Sequence, residues 1–101
     1  MSRTKIPKPL AFEWDEHNKE KNWVKHQVDY KECEQAFKNK PQAIFEDLIH
    51  SRTESRYTLL SFTDNKRYLF ISFTIRAQKI RIISARDQDK KERRIYEESK
   101  K

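Results

Sequence analysis

The chain from His50 onward contains the side chains that RNA cleavage requires: a histidine, a carboxylate, many cations and a tyrosine. RNA breaks without a metal when a base deprotonates its 2′-hydroxyl, the 2′-oxygen attacks the adjacent phosphate, and an acid protonates the departing 5′-oxygen. Arginine suits the phosphorane intermediate because its planar fork binds phosphate oxygens and stays charged. The candidates are His50, Arg52, Glu54, Arg56, Arg76, Lys79, Arg81, Arg86, Arg93, Arg94 and Tyr96.

The residue types leave the roles open. Glu54 and His50 are both candidate bases, and the candidate acids are Tyr96, Lys79 and His50. The predicted catalytic group is Glu54, Arg56, Arg76, Arg86 and His50, and the predicted RNA-binding group is Lys79, Arg81, Arg93, Arg94 and Tyr96. The competing interpretation is structural: Glu54 and Arg56 form an edge-strand ion pair of little energetic value, and the last helix presents a solvated cationic face.

The charge of the chain is unevenly distributed. Its 101 residues suffice for one domain and carry a net charge of +7. Residues 1–50 contain nine Lys/Arg and nine Asp/Glu, whereas residues 51–101 contain fourteen against seven. Segregated positive charge favours a polyanionic partner. The aromatic residues concentrate between Phe12 and Phe73, which indicates a folded domain with a modest core.

The composition argues against several other kinds of site. Cys33 is the only cysteine, so no intrachain disulfide or thiolate cluster can form, and a reducing cytoplasm is expected. His17 and His26 are nine residues apart and do not share a helix face, and no glycine is present to build a phosphate-binding loop. We therefore expect no metal and no cofactor. No apolar run approaches the roughly 18 residues of a membrane span.

Three helices are predicted from their first turns. Asp15 caps a helix over residues 16–26, Asp29 begins a second that Asn39 ends in a left-handed conformation, and Asp89 caps a last one with Glu92 three residues on. Trp23 is one of the few large apolar residues of the first helix, so that helix is expected on the surface.

Strands are predicted over residues 43–48, 56–62, 66–75 and 80–86, after a short extended entry at 12–14. Asp64 and Asn65 are expected to take positive φ in the first hairpin turn, and Ala77-Gln78 to form the second. The clearest core stripe is Leu69, Ile71, Phe73 and Ile75. In the last strand, alternation places Ile80 and Ile82 opposite Lys79, Arg81 and Ile83.

This order of elements predicts an α+β fold. We expect an antiparallel β-sheet of about four strands with two N-terminal helices and one C-terminal helix, all on one side of the sheet. Residues 1–11 are predicted to be a mobile basic leader, 12–98 a single domain, and 99–101 a frayed tail.

Several motifs in order resemble the BrnT family of bacterial type II toxins, over roughly residues 12–98. They are Phe12-Glu13-Trp14-Asp15, Asn18-Lys19, Asn22, Lys25-His26-x-Val28, Glu54-x-Arg56, Thr74-x-Arg76 and Ile80-Arg81-Ile82-Ile83-Ser84-Ala85-Arg86 with Glu92 and Tyr96. The resemblance implies a RelE-like fold and an endoribonuclease that arrests translation. It also implies a BrnA-type antitoxin, and operator DNA bound indirectly through that antitoxin. The family's recurring polar residues fall on Glu54, Arg56, Arg76, Arg86, His26 and Trp14.

Two departures concern helix ends. Gln27 stands where the family usually has glycine, and Lys40-Pro41 replaces an Asp-Pro pair.

A non-catalytic module that binds an antitoxin and stabilises a DNA-bound repressor is the alternative function. A ribosome-associated basic protein would require only the charge.

Overall fold

The computed structural model describes residues 3–6, 11–50 and 53–100. Within these ranges, three helices flank one five-stranded sheet of order β1-β5-β4-β3-β2. The helices are α1 (Glu16–His26), α2 (Tyr30–Lys38) and α3 (Lys90–Ser99); the strands are β1 (Ala11–Phe12), β2 (Ala43–Asp47), β3 (Arg56–Phe62), β4 (Tyr68–Arg76) and β5 (Lys79–Asp87).

Each helix begins where its capping residue predicts. The side chains of Asp15, Asp29 and Asp89 each accept a backbone N–H of the first turn, and the third helical residue returns the bond in all three. Such reciprocal bonds satisfy amide groups that the first turn would otherwise leave unpaired. The predicted helix starts are confirmed.

The predicted α+β class is confirmed, and three of its details are corrected. The count of about four strands and the RelE-like label are slightly off, because the two-residue β1 adds a fifth strand in parallel pairing with β5. The remaining pairs are antiparallel. The helices do not share one side, because Tyr96 of α3 packs with Phe45 and Leu60 on the face opposite α1 and α2.

The core divides into two clusters, one on each face of the sheet. The larger cluster packs Val28, Cys33 and Ala36 against the apolar sides of β3, β4 and β5. The predicted stripe on β4 lies at its centre, with Leu69, Ile71 and Phe73 fully buried. The smaller cluster lies beneath α3 and leaves the other end of that face open to solvent.

Helix α1 contacts the sheet through amides instead of apolar side chains. Asn22 is buried, and its side-chain oxygen accepts the backbone N–H of Ala85 at 2.9 Å. Trp23 and Val24 point outward with 56% and 76% of their surface exposed. The surface position predicted for this helix is confirmed, and its apolar residues do not form its contact with the core.

A β-bulge in β5 changes which residues share a face. Ser72 pairs with Ser84, but the next residue of β4 pairs with Ile82, so Ile83 is an extra residue. Before the bulge, Lys79 and Arg81 lie on the α3 face of the sheet; after it, Arg86 lies on that same face. Strict alternation would have placed Arg86 on the core side.

Two predictions of left-handed conformation are wrong, one at a helix end and one in a hairpin. Asn39 is extended (φ −76°, ψ 145°), and its side-chain amide donates to the Phe62 carbonyl instead. In the first hairpin the positive φ falls on Lys66 (66°), not on Asp64 or Asn65. A turn whose central residues keep negative φ commonly needs the left-handed residue at the following position. The second hairpin turns at Ala77 and Gln78 as predicted.

Gln27 adopts the left-handed conformation expected of a glycine, with φ 54° and ψ 40°. Its backbone N–H donates to the Trp23 carbonyl at the end of α1, and its own carbonyl accepts from Arg67 at 2.8 Å. Because a Cβ is unfavourable at this φ, Gln27→Gly should raise the free energy of unfolding by about 1 kcal/mol in urea denaturation. Glu20→Gly in the middle of α1 is the control and should lower it by about 1 kcal/mol. Equal losses for both variants would contradict strain at Gln27.

Part of the predicted leader lies along the sheet edge. Arg3 forms a bridge with Phe45, and the Thr4 amide donates to the Ile44 carbonyl at 2.8 Å. Residues 1–2, 7–10 and 101 of the predicted leader and tail lie outside the described residues. Within the described ranges, no helix is long and apolar enough to cross a membrane.

Candidate functional site

Four cations lie together at the end of the sheet that α3 leaves uncovered; they are Arg56, Arg76, Lys79 and Arg81, and we call them the basic end. Arg56 and Arg81 lie on either side of Thr74 in the register, and Arg76 pairs with Lys79. Neighbouring strands are about 4.8 Å apart, so Arg56 and Arg81 begin roughly 10 Å from each other. This end of the sheet therefore presents a compact positive surface.

A carboxylate fixes one of these cations. Arg76 binds Glu54 through two hydrogen bonds, Nε to Oε2 at 2.9 Å and Nη2 to Oε1 at 3.3 Å. The hydrogen bond from Arg76 is the main cause of a lowered pKa at Glu54. A carboxylate stabilised in its charged form is a weaker base, so the geometry makes Glu54 better at orienting Arg76 than at removing a proton.

Arg81 has two acidic neighbours that follow β1. Its Nη1 lies 3.1 Å from Glu13 Oε1 and 3.4 Å from Asp15 Oδ2. The pKa of Asp15 is lowered, first by the backbone hydrogen bond from Asn18 and then by this guanidinium. Arg81 is thus partly neutralised, whereas Lys79 beside it is exposed.

His50 is paired with Asp47 beside these cations. Nδ1 of His50 lies 2.8 Å from Asp47 Oδ2, and the backbone N–H of His50 donates to Oδ1. Burial raises the pKa of Asp47, but the hydrogen bonds from His50 outweigh it and lower the pKa overall. An ionised Asp47 orients the imidazole and leaves Nε2 for chemistry. Asp47 is not among the residues predicted from the sequence, although it precedes His50 by three residues.

One cavity connects several predicted catalytic residues. It has a volume of about 380 Å³ and is lined by Ile49, His50, Thr53, Glu54 and Arg56. Because predicted catalytic residues line it, we call it the catalytic pocket. It brings together a histidine, a carboxylate and a guanidinium, with Arg76 held at its side through Glu54.

Arg86 lies apart from this pocket on the same face of the sheet. It is paired with Phe70, four residues along β4 from Thr74 and so about 13 Å away at 3.3 Å per residue. Both of its Nη atoms bond Glu92 of α3 at 2.7 Å, and its guanidinium lies 4.2 Å from the Phe70 ring centroid. These contacts join β5 to α3.

The other predicted RNA-binding residues lie on α3. Tyr96 is fully buried, and its hydroxyl donates to the Pro41 carbonyl at 2.7 Å, so neither its ring nor its proton faces solvent. Arg93 covers the Tyr68 ring and Arg94 is exposed. Arg52 lies outside the described residues.

The family-like residues of the N-terminal half have structural contacts. Trp14 Nε1 donates to Glu34 at 2.8 Å, and the His26 carbonyl accepts from Arg67 at 3.0 Å. Arg67 also bonds Asp87 and Glu32, so it ties the end of α1 to the sheet. Sequence reasoning missed Arg67, since its partners lie up to 41 residues away.

In the ranges 3–6, 11–50 and 53–100, no group of three or more His, Cys, Asp or Glu side chains converges in a way that would hold a metal ion. A family model described as "Ribonuclease toxin, BrnT, of type II toxin-antitoxin system" matches residues 14–92. The match spans α1 to the first turn of α3 and includes the basic end and the catalytic pocket. No curated protein matches the chain.

Proposed function

The chain belongs to the BrnT family of ribonuclease toxins of type II toxin–antitoxin systems, and from that premise we propose that it cuts RNA in the catalytic pocket without a metal. The observation that best supports this proposal is that His50, Glu54 and Arg56 line one cavity. Asp47 orients His50, and Glu54 holds Arg76. The phosphate of the bond to be cut would occupy this cavity.

His50 is the proposed general base. Its Nδ1 is engaged by Asp47, so Nε2 takes the proton of the 2′-hydroxyl while the 2′-oxygen attacks the neighbouring phosphorus. Glu54 is the weaker candidate, because its pKa is lowered by the hydrogen bond from Arg76. We assign it instead to positioning Arg76.

Arg56 and Arg76 are the proposed phosphorane ligands. Their fixed charges lie where negative charge accumulates on the non-bridging oxygens, and such preorganised donors stabilise a transition state strongly. Of the predicted acids, Lys79 is exposed at the basic end, whereas Tyr96 is buried. Lys79 would donate the proton to the departing 5′-oxygen, leaving a 2′,3′-cyclic phosphate and a 5′-hydroxyl.

Membership in the family gives the chain an antitoxin partner and RNA as its substrate. We further propose that the antitoxin is of BrnA type, that operator DNA is bound indirectly through it, and that the toxin acts in the cytoplasm. The excess of positive charge in residues 51–101 suits both an RNA strand and an acidic partner surface.

The test is to incubate the purified chain alone with RNA, with and without EDTA. We expect cleavage in both conditions and fragments that end in cyclic phosphate and begin with a 5′-hydroxyl. Activity abolished by EDTA and restored by a divalent metal would contradict metal independence. Intact RNA beside tight binding to the antitoxin would instead support the non-catalytic module.

A further inference from the structure

A second cavity adjoins the catalytic pocket, and we propose that it binds a nucleobase of the RNA, next to the phosphate that is cut. This inference rests on the proposed function and adds a base-binding subsite to the proposed active site. We call this cavity the base pocket; its volume is about 500 Å³, and it is lined by Arg3, Thr4, Glu46, Asp47, Leu48, Ile49, Thr58 and Phe70.

The two pockets adjoin each other. Ile49 lines both of them, and Asp47 of the base pocket holds His50 of the catalytic pocket at 2.8 Å. A nucleobase is joined to its phosphate through one ribose, so a nucleotide held at the catalytic pocket must place its base in an adjoining space. The base pocket adjoins it through Ile49 and the contact between Asp47 and His50.

The lining suits a planar aromatic ring with polar edges. Phe70 supplies an aromatic floor, and Leu48 and Ile49 form an apolar wall that is 77% and 84% exposed. Side chains so apolar and so exposed at a pocket rim are suited to covering a stacked base. The Thr58 hydroxyl and the Asp47 carboxylate are polar groups within the same lining.

The charged groups of the lining are mixed: Arg3 lies there with the carboxylates Glu46 and Asp47. Arg86 lies 4.2 Å from the Phe70 ring centroid, but its charge is paired with Glu92. The choice of occupant therefore rests on position and on the lining, not on net charge. Because the pocket adjoins the proposed cleavage site and combines an aromatic ring, apolar side chains and hydrogen-bonding groups, the occupant we infer is one base of a single-stranded RNA.

Binding can be tested without cleavage by using a 2′-O-methyl pentanucleotide, which lacks the attacking hydroxyl. The base is removed from each position in turn, leaving the sugar and phosphate intact. At one position we expect the full-length chain to bind the abasic strand about tenfold more weakly than the complete strand, which is the scale of one base stacked on apolar or aromatic side chains.

The double variant Leu48→Ala/Ile49→Ala should weaken binding of the complete strand by a similar factor and abolish the preference for the base. Val24→Ala removes an equally exposed apolar side chain from α1, and it should keep the preference unchanged. Circular dichroism and thermal unfolding confirm that each variant is folded.

Two outcomes would overturn the subsite. One is a chain that binds complete and abasic strands equally at every position. The other is a double variant that keeps the base preference. If that variant also loses antitoxin binding, Leu48 and Ile49 belong to the antitoxin-binding surface instead. Uncut ordinary RNA would contradict the proposed function and leave the base preference to be judged by these binding data.

Discussion

Replacing Arg56 or Arg76 by alanine is expected to lower the rate of RNA cleavage by about 10²- to 10³-fold, the loss seen when one preorganised donor to a transition-state oxyanion is removed. Both guanidiniums lie at the basic end, outside the packed core, so the variants should fold. The measurement is single-turnover cleavage of a labelled RNA, with thermal unfolding recorded on the same samples.

Three further variants make this result specific. Lys31→Ala removes an exposed cation from α2 on the far side of the sheet and should leave cleavage unchanged. Glu54→Gln keeps its shape but weakens the hold on Arg76, so a loss smaller than that of Arg76→Ala identifies a positioning role. If Glu54 were the general base, its loss would equal or exceed that of the arginines. A double Arg56→Ala/Arg76→Ala variant with full activity would remove both residues from the site.

Arg86→Ala should affect stability more than cleavage. Arg86 holds Glu92, whose side chain is only 14% exposed, and its removal leaves a partly buried carboxylate unpaired between β5 and α3. The Arg76→Ala variant loses an ion pair whose cation is 54% exposed, so it should unfold at nearly the wild-type temperature. This contrast distinguishes Arg86, which stabilises the fold, from Arg76, which is proposed to bind the phosphate.

His50→Ala is expected to lower cleavage by about 10²- to 10⁴-fold, the usual contribution of a general base. The measurement is the rate of single-turnover cleavage of a labelled RNA, with thermal unfolding recorded on the same samples. Cleavage by His50→Ala at nearly the wild-type rate would assign the base to another group. His17→Ala on α1, an exposed histidine on the other side of the sheet, is the matched control.

The ionisation of Asp47 determines the lowest pH at which the Asp47–His50 interaction persists. Its pKa in the folded chain lies below the ordinary value, so its stabilising interaction with His50 is complete above the unfolded pKa and is lost as pH falls through the folded one. Asp47→Asn should therefore reduce cleavage where Asp47 is ionised, and have less effect below its folded pKa, where the wild-type carboxyl is already protonated. Cleavage that Asp47→Asn leaves unchanged throughout would contradict the role of Asp47 in orienting His50.

Local chemistry was sufficient to predict the elements. The starts of the three helices follow from aspartates that bond the first turn, and the β4 core stripe follows from alternation, because both depend on residues within a few positions of one another. The family follows from ordered motifs, which the match over residues 14–92 bears out. The helix ends and the first hairpin were less predictable. Asn39 bonds the Phe62 carbonyl of β3, a contact between distant segments, and in the hairpin the positive φ falls one residue later than predicted, on Lys66.

The arrangement of the candidate site depends on the tertiary structure. The extra residue at Ile83 shifts the alternation of β5, so Arg86 shares a face with Arg81. Tyr96 is buried because α3 crosses to the second face of the sheet, a choice that depends on apolar residues distributed over three strands. Which elements form and which reactive side chains are present could be read from the sequence alone, because both depend on near neighbours along the chain. Which side chains meet was decided by strand register and helix placement, which join residues far apart along the chain.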